Sequence, residues 1–285
     1  MDLNKRLIST LLFLTVVVGG MCQDSSRVEW LPKGRLFDPL YLDPLEAQAY
    51  ASLTAFNQGG EWQEYLYAPF AFGFYKGWLR WKKEKCEFEF GADWAAFTQF
   101  QVDGITEGAS RWMLNVDYKA SAVFHYRRQE KYELRARFYH LSSHWGDDFI
   151  IRNGITSFIP NPVNYEQLEV TGAIRRGIFR PYATLSYGVR PSTIRKRLLL
   201  QAGFTFEKRW TNSRYFAWIG GMDVKSWHQN DFYPNTKAAV GLQFGQQGKT
   251  PVRILLEGYN GHMPYSVFEN RRVGWIGMGM YFDVG

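Results

Sequence analysis

From Glu87 the chain reads Glu-Phe-Glu-Phe-Gly-Ala-Asp-Trp-Ala-Ala-Phe, so Phe88, Phe90, Ala92, Trp94 and Ala96 fall on one side and Glu87, Glu89 and Asp93 on the other. Side chains alternate this way in a β-strand, whose successive residues point to opposite faces. The pattern returns with Leu114, Val116, Tyr118, Ala120, Ala122 and Phe124 opposing Asn115, Asp117, Lys119 and Ser121. It returns again with Leu198, Leu200, Ala202, Phe204 and Phe206 opposing Arg197, Gln201, Thr205 and Glu207. Each strand therefore needs an apolar medium on one face and a polar one on the other.

A water-soluble sandwich would alternate too, but its strands usually run near 5–6 residues. The segments here reach roughly the 9–11 residues that a tilted strand needs to cross a bilayer. Candidates centre on 47–56, 71–81, 86–98, 112–126, 131–144, 165–175, 179–189, 197–208, 215–225, 237–245, 252–261 and 274–283. An unpaired strand edge in hydrocarbon costs several kcal/mol per group, so the strands must close on themselves. The predicted fold is all-β, a closed antiparallel transmembrane β-barrel of about 12 strands, an even number as such barrels require.

The connections fit that reading. With the chain ends on the inner, periplasmic side, the outward links are 57–70, 99–111, 145–164, 190–196, 226–236 and 262–273. The inward ones, 82–85, 127–130, 176–178, 209–214 and 246–251, are mostly shorter, as expected of periplasmic turns against extracellular loops. Aromatic residues, 11 Trp, 17 Tyr and 22 Phe, are too many for a disordered chain. Trp78, Trp81, Trp210 and Tyr215 near the inner rim, and Trp112, Trp145 and Tyr187 near the outer, suit girdles at headgroup level.

Residues 1–22 read as a secretory signal: Lys5 and Arg6, then an apolar run from Leu7 to Val18, then Gly19 and Gly20 before the cut. Met21 disfavours the alternative of an acylated Cys22. Removal of Cys22 would leave Cys86 with no partner. Residues 23–45, with Pro32, Pro39 and Pro44, form an N-terminal segment that could plug the periplasmic mouth, and 46–285 form the barrel. No Cys/His spacing suggests zinc and no phosphate-binding loop is present. The net charge is a modest +7 with dispersed basic residues, which excludes nucleic acid as a partner.

On the polar parity, acids such as Glu89, Asp93, Asp117, Glu133, Glu169 and Glu257 face bases such as Lys76, Arg80, Lys119, Arg135, Arg137 and Lys237. Mixed signs on one narrow wall favour a salt-bridged interior over a wide selective pore. A narrow channel or a surface receptor using loops 145–164 or 262–273 stays open as an alternative.

The strand at 131–144 ends in Tyr139-His140-Leu141-Ser142-Ser143-His144-Trp145-Gly146-Asp147-Asp148. The parity of Tyr132, Leu134, Ala136 and Phe138 puts His140 and Ser142 on the lipid-facing side, an unusual place for polar groups. At about 3.4 Å per residue they lie about 7 Å apart along the chain, so imidazole and hydroxyl could meet as base and nucleophile. A third group must orient the imidazole. Glu166, on the lipid side near the outer end of the next strand, is the candidate, with Asp147, Asp148 and Asn153 as alternatives or as oxygen ligands for calcium. Ser143 and His144 complete the candidate binding residues. The bland alternative is a polar cluster at headgroup level that meets lipid phosphates.

His140-Leu141-Ser142 resembles the His-x-Ser motif of outer-membrane phospholipase A, also a twelve-strand barrel, and of outer-membrane lipid A deacylase. The resemblance implies a serine-dependent acyl hydrolase whose partners are outer-membrane lipids. In both families the third catalytic residue lies twelve positions after the serine, which here is Gly154, and Ser143 replaces the phospholipase motif's Asn. A broader resemblance rests on His140-x-Ser142-Ser143-His144-x-Gly146-Asp147-Asp148, Asn164-Tyr165-Glu166, Gly258-Tyr259-Asn260-Gly261-His262-x-Pro264-Tyr265 and the glycine-spaced end from Gly274 to Phe282. These look like the bacterial domain-of-unknown-function family 1207. That likeness implies an outer-membrane location and no particular activity. Overall the expectation is an integral outer-membrane barrel, with a lipid acyl-ester hydrolase as the leading specific activity and a homo-oligomer as an open option.

Overall fold

The computed structural model describes residues 27–104, 110–157, 163–190, 195–245 and 251–283. The expected signal segment and its boundary at residue 22 lie outside the described residues. The strands are β1 (Arg27–Trp30), β2 (Ala49–Gln58), β3 (Glu61–Lys82), β4 (Cys86–Asp103), β5 (Ser110–Arg128), β6 (Tyr132–Trp145) and β7 (Asn164–Ile174). They continue as β8 (Phe179–Gly188), β9 (Leu198–Arg209), β10 (Phe216–Trp227), β11 (Pro234–Phe244), β12 (Val252–His262) and β13 (Arg272–Phe282). One short helix, α1 (Asp147–Arg152), follows β6.

From β2 to β13 each strand pairs antiparallel with the next, and β13 returns to β2 with Val273 opposite Gln58 and Phe282 opposite Ala49. Of the thirteen strands among the described residues, β1 alone lies outside the ring, paired to the inner end of β3, so the ring is a closed antiparallel barrel of twelve. No backbone edge remains open around the circumference, which is the arrangement a strand in hydrocarbon requires. Among the described residues no helix is long and apolar enough to cross a membrane. Phe70, Phe72, Phe74, Leu185, Leu200, Leu256 and Met278 are exposed on the outer wall and form the apolar belt.

The wall departs from a uniform two-residue period at bulges, and these account for several misplacements. An extra residue at Trp78 between the pairs Gly77/Gly91 and Leu79/Phe90 shifts the parity of β3. Arg80 therefore turns inward onto Glu89, while Lys76, expected beside it, is exposed on the outside. A second bulge, at Leu114, lies between the pairs Gln99/Asn115 and Phe100/Met113. Beyond it Trp112 lines a cavity in the barrel mouth instead of the outer girdle. Trp145, also expected in that girdle, shares the inward parity of Leu141 and packs on the interior core. The expected outward loop 57–70 is a tight hairpin, because β3 is 22 residues long and Gly59 and Gly60 take positive φ (66° and 96°) at the turn. The long outward link is 146–163, which carries α1.

The lumen is filled from both ends. From the inner side, residues 36–48 run between the walls: Leu36, Leu40, Leu42 and Ala47 are buried, and the Leu36 amide donates to Glu89 Oε1 at 3.0 Å. Glu46 lies between Arg135 Nη1 (2.6 Å) and Arg137 Nη1 (3.6 Å), Lys225 Nζ reaches Asp43 Oδ1 at 2.6 Å, and Lys119 Nζ donates to the Leu45 carbonyl. From the outer side, the loop between β12 and β13 folds inward, with Met263, Tyr265, Ser266 and Phe268 buried. Asp117 Oδ2 accepts the Ser266 amide at 3.0 Å, and Tyr265 meets Tyr50 hydroxyl to hydroxyl at 2.5 Å. The mixed-sign lumen thus holds paired charges between wall and inserted segments. Cys86 is buried.

Candidate functional site

Strand β6 pairs with β5 on one side and β7 on the other, and its register fixes the site: His140 stands opposite Ala120 and Glu166, Ser142 opposite Tyr118 and Asn164. The alternation of β6 runs unbroken from Tyr132 to His144, with no bulge, so His140, Ser142 and His144 all reach the outer face. The site therefore sits on the outside wall near the rim that carries α1, away from the lumen.

His140 Nδ1 lies 2.8 Å from Glu166 Oε1. Glu166 is held in turn by Arg190, which donates from Nε to Oε2 at 2.7 Å and from Nη2 to Oε1 at 3.0 Å. A guanidinium fork on a carboxylate fixes its plane as well as its position. The carboxylate so placed selects the His140 tautomer that carries its proton on Nδ1, which leaves Nε2 with a lone pair to accept one. Glu166 thus lies within hydrogen-bond reach of His140 and is itself held in place.

Ser142 departs from the expected arrangement. Its hydroxyl is hydrogen-bonded to His144 Nε2 at 2.9 Å and not to His140. The reason is the strand itself: residues two apart on one face are equidistant neighbours on either side, and the serine rotamer chooses between them. The serine thus stands between two imidazoles, one oriented by a carboxylate and one resting near the Tyr118 ring, whose centroid is 6.0 Å away.

The other expected residues scatter. Ser143 points inward, is 1% exposed, donates to Asp117 and accepts the Val267 amide at 3.2 Å, so it pins the inserted loop and takes no part in the outer patch. Asp147 and Asp148 form the first turn of α1, where negative charge is favoured, and Asp148 Oδ2 accepts the Met113 amide at 2.8 Å. Asn153 closes the far end of the helix by donating to the Phe149 carbonyl at 2.8 Å, and Gly154 beyond it takes a left-handed φ of 59°. None of these four is hydrogen-bonded to His140. Among the described residues no three His, Cys, Asp or Glu gather as a ligand set. Arg190 was not anticipated. It stands just past the outer end of β8, where the amide of Val189 beside it donates to the Glu166 carbonyl.

Fold comparison places the chain among the outer-membrane β-barrels. The outer membrane phospholipase A of Escherichia coli superposes with a TM-score of 0.53 at 11% identity, covering 94% of this chain and 97% of that one. The Salmonella typhi outer membrane phospholipase, a dimer with bound calcium, superposes at 0.52 and 10% identity, covering 84% and 91%. At these identities the likeness is one of fold. The sequence matches the family described as protein of unknown function, DUF1207, over residues 18–284, and the chain belongs to that family. No curated protein matches it.

Proposed function

We propose that the chain is an integral protein of the outer membrane and cleaves acyl esters of lipids in the outer leaflet. Ser142 is the nucleophile, His140 the general base and Glu166 the group that orients it. The observation that carries the reading is the 2.8 Å contact between His140 Nδ1 and Glu166 Oε1 on the same outward row as Ser142. A carboxylate-held imidazole on the same outward row as a hydroxyl is the arrangement that a base and a nucleophile require.

In the reaction the Ser142 hydroxyl turns from His144 to His140, whose Nε2 takes its proton as Oγ attacks the ester carbonyl. The carbonyl–alkoxy bond then breaks, His140 returns the proton to the leaving alcohol, and water repeats the cycle to free the fatty acid. Glu166, fixed by Arg190, stabilises the imidazolium formed in each half. The like-folded phospholipases support a lipid substrate, and the calcium and dimer of the Salmonella protein make a calcium requirement and a homodimer part of the proposal.

The test is release of fatty acid by the purified chain in detergent, with phospholipid and with lipid A, each with and without calcium. Release that disappears in Ser142→Ala and in His140→Ala is expected. No release from either lipid under either condition overturns the reading. Cross-linking with and without calcium reads the dimer separately.

A further inference from the structure

Away from the outward patch, the outer mouth of the barrel holds a cavity of about 340 Å³ between the ends of β2 to β5, α1 and the inserted loop. Its apolar walls include the rings of Tyr65, Trp112, Phe149 and Phe268, and its polar groups include Arg152 and Arg271. Ligand pockets are typically concave, mostly apolar and about 300–1,000 Å³, with a few polar groups that set orientation. This cavity has that constitution.

Three features show what it lacks. The Arg271 guanidinium stacks 4.3 Å from the Phe268 centroid and 5.9 Å from that of Phe149, and no carboxylate pairs with it among the described residues. Arg152 stacks on Trp112 at 4.2 Å and meets Asp103 only at 3.6 Å. The buried Trp112 Nε1 has no acceptor. In the lumen, by contrast, Arg80, Arg135 and Arg137 all have carboxylate partners within 2.7 Å. A stacked guanidinium keeps its in-plane N–H donors free, and those donors fit a carboxylate or phosphate.

We infer that this cavity binds a small organic anion, with its carboxylate or phosphate on Arg271 and a flat or hydrocarbon body against Trp112, Phe149 and Phe268. The inference does not depend on ester cleavage, because none of these residues belongs to the outward patch.

The test uses the full chain in lipid nanodiscs, titrated calorimetrically with naphthalene-2-carboxylate, decanoate and phenyl phosphate, and with the neutral naphthalene-2-carboxamide. Saturable binding of at least one anion with one site per chain is expected, with the carboxamide at least tenfold weaker than the carboxylate if the carboxylate binds. Arg271→Gln should weaken the bound anion by tenfold or more, and Trp112→Phe, which keeps the stacking face, should weaken it less. Ser142→Ala should bind as the parent does. Heat-modified migration on gels checks that each variant is folded. Absence of saturable binding by all three anions, equal affinity for carboxylate and carboxamide, or a folded Arg271→Gln that binds as tightly as the parent would each overturn the assignment.

Discussion

Two polar clusters of similar composition sit on opposite faces of the same strand, and they are built on different terms. Inside, Arg135 and Arg137 of β6 meet Glu46 and Glu169 with every partner at most 4% exposed. Outside, His140 of β6 meets Glu166 with the imidazole 47% exposed and the carboxylate 24%. The buried set ties an inserted segment to the wall through ion pairs shut away from solvent. The outer set keeps a hydroxyl that can change partners and an imidazole nitrogen free for a proton. One cluster is thus organised for holding and the other for exchange, and substitution should separate them.

The largest effect is expected outside. Ser142→Ala and His140→Ala should each cut lipid ester cleavage by on the order of 10³-fold or more, since removing either half of a nucleophile–base pair disables both. Neither should shift the unfolding midpoint in detergent. Fatty-acid release and heat-modified gel migration on the same preparation decide it, and a loss of activity that tracked loss of the folded band would return these residues to a structural role.

Glu46→Ala should do the reverse. It leaves Arg135 and Arg137 short of a buried counter-charge, and breaking such a pair from one side costs about 3–5 kcal/mol. Urea unfolding followed by tryptophan fluorescence should show that loss, with cleavage per folded molecule unchanged. Unaltered stability would mean that residues 36–48 do not bear on the wall as their contacts indicate.

Acid should act on the interior first. Burial by itself would raise the Glu46 carboxyl, but Arg135, Arg137 and Lys119 outweigh it and hold the group well below the ordinary carboxylate range. Asp43 is likewise held low, burial being outweighed by Lys225. A carboxyl whose folded pKa is depressed contributes its full stabilisation above its unfolded value and loses it as pH falls toward the folded one. Stability should therefore be level at neutral pH and decline from about pH 4.5 downward, and Glu46→Ala should flatten that decline. A parent and variant with parallel acid profiles would place the sensitivity elsewhere.

The barrel was legible in the sequence because hydrocarbon on one side and polar side chains on the other impose a period of two over long segments. The strand assignments from 86–98 onward fall on β4 to β13. Legibility failed where a single residue is added without changing composition. The bulges at Trp78 and Leu114 look like ordinary strand, yet each inverts the facing of one side of its strand relative to the other, sending Lys76 out and Trp112 in. The hairpin at Gly59 and Gly60 was missed because the apolar run of β3 extends well beyond what a bilayer crossing requires. At the site, parity sufficed to bring His140, Ser142 and Glu166 to one outward row, since β6 and β7 pair without a bulge. The choice of Ser142 between two imidazoles is a rotamer, which no period encodes. The Arg190 fork on Glu166 joins residues 24 apart across a strand pair, so only the ring's register reveals it.

That rotamer gives the smallest and most discriminating expectation. His144 bonds Ser142 at 2.9 Å, but its other partner among the described residues is the ring of Tyr118, which cannot fix a tautomer or stabilise an imidazolium as a carboxylate does. His144 is then a resting partner that releases the hydroxyl to His140, and His144→Ala should cost less than about tenfold in cleavage. If releasing the resting bond eases the turn of Ser142, the rate could even rise slightly. If His144→Ala matched His140→Ala in its loss, the base would be the histidine after the serine, and the Glu166–Arg190 pair would be serving the wall rather than the reaction. Glu166→Gln separates those outcomes. It keeps the hydrogen bond to His140 and removes the charge, so cleavage falls with it only if the imidazolium that forms is that of His140.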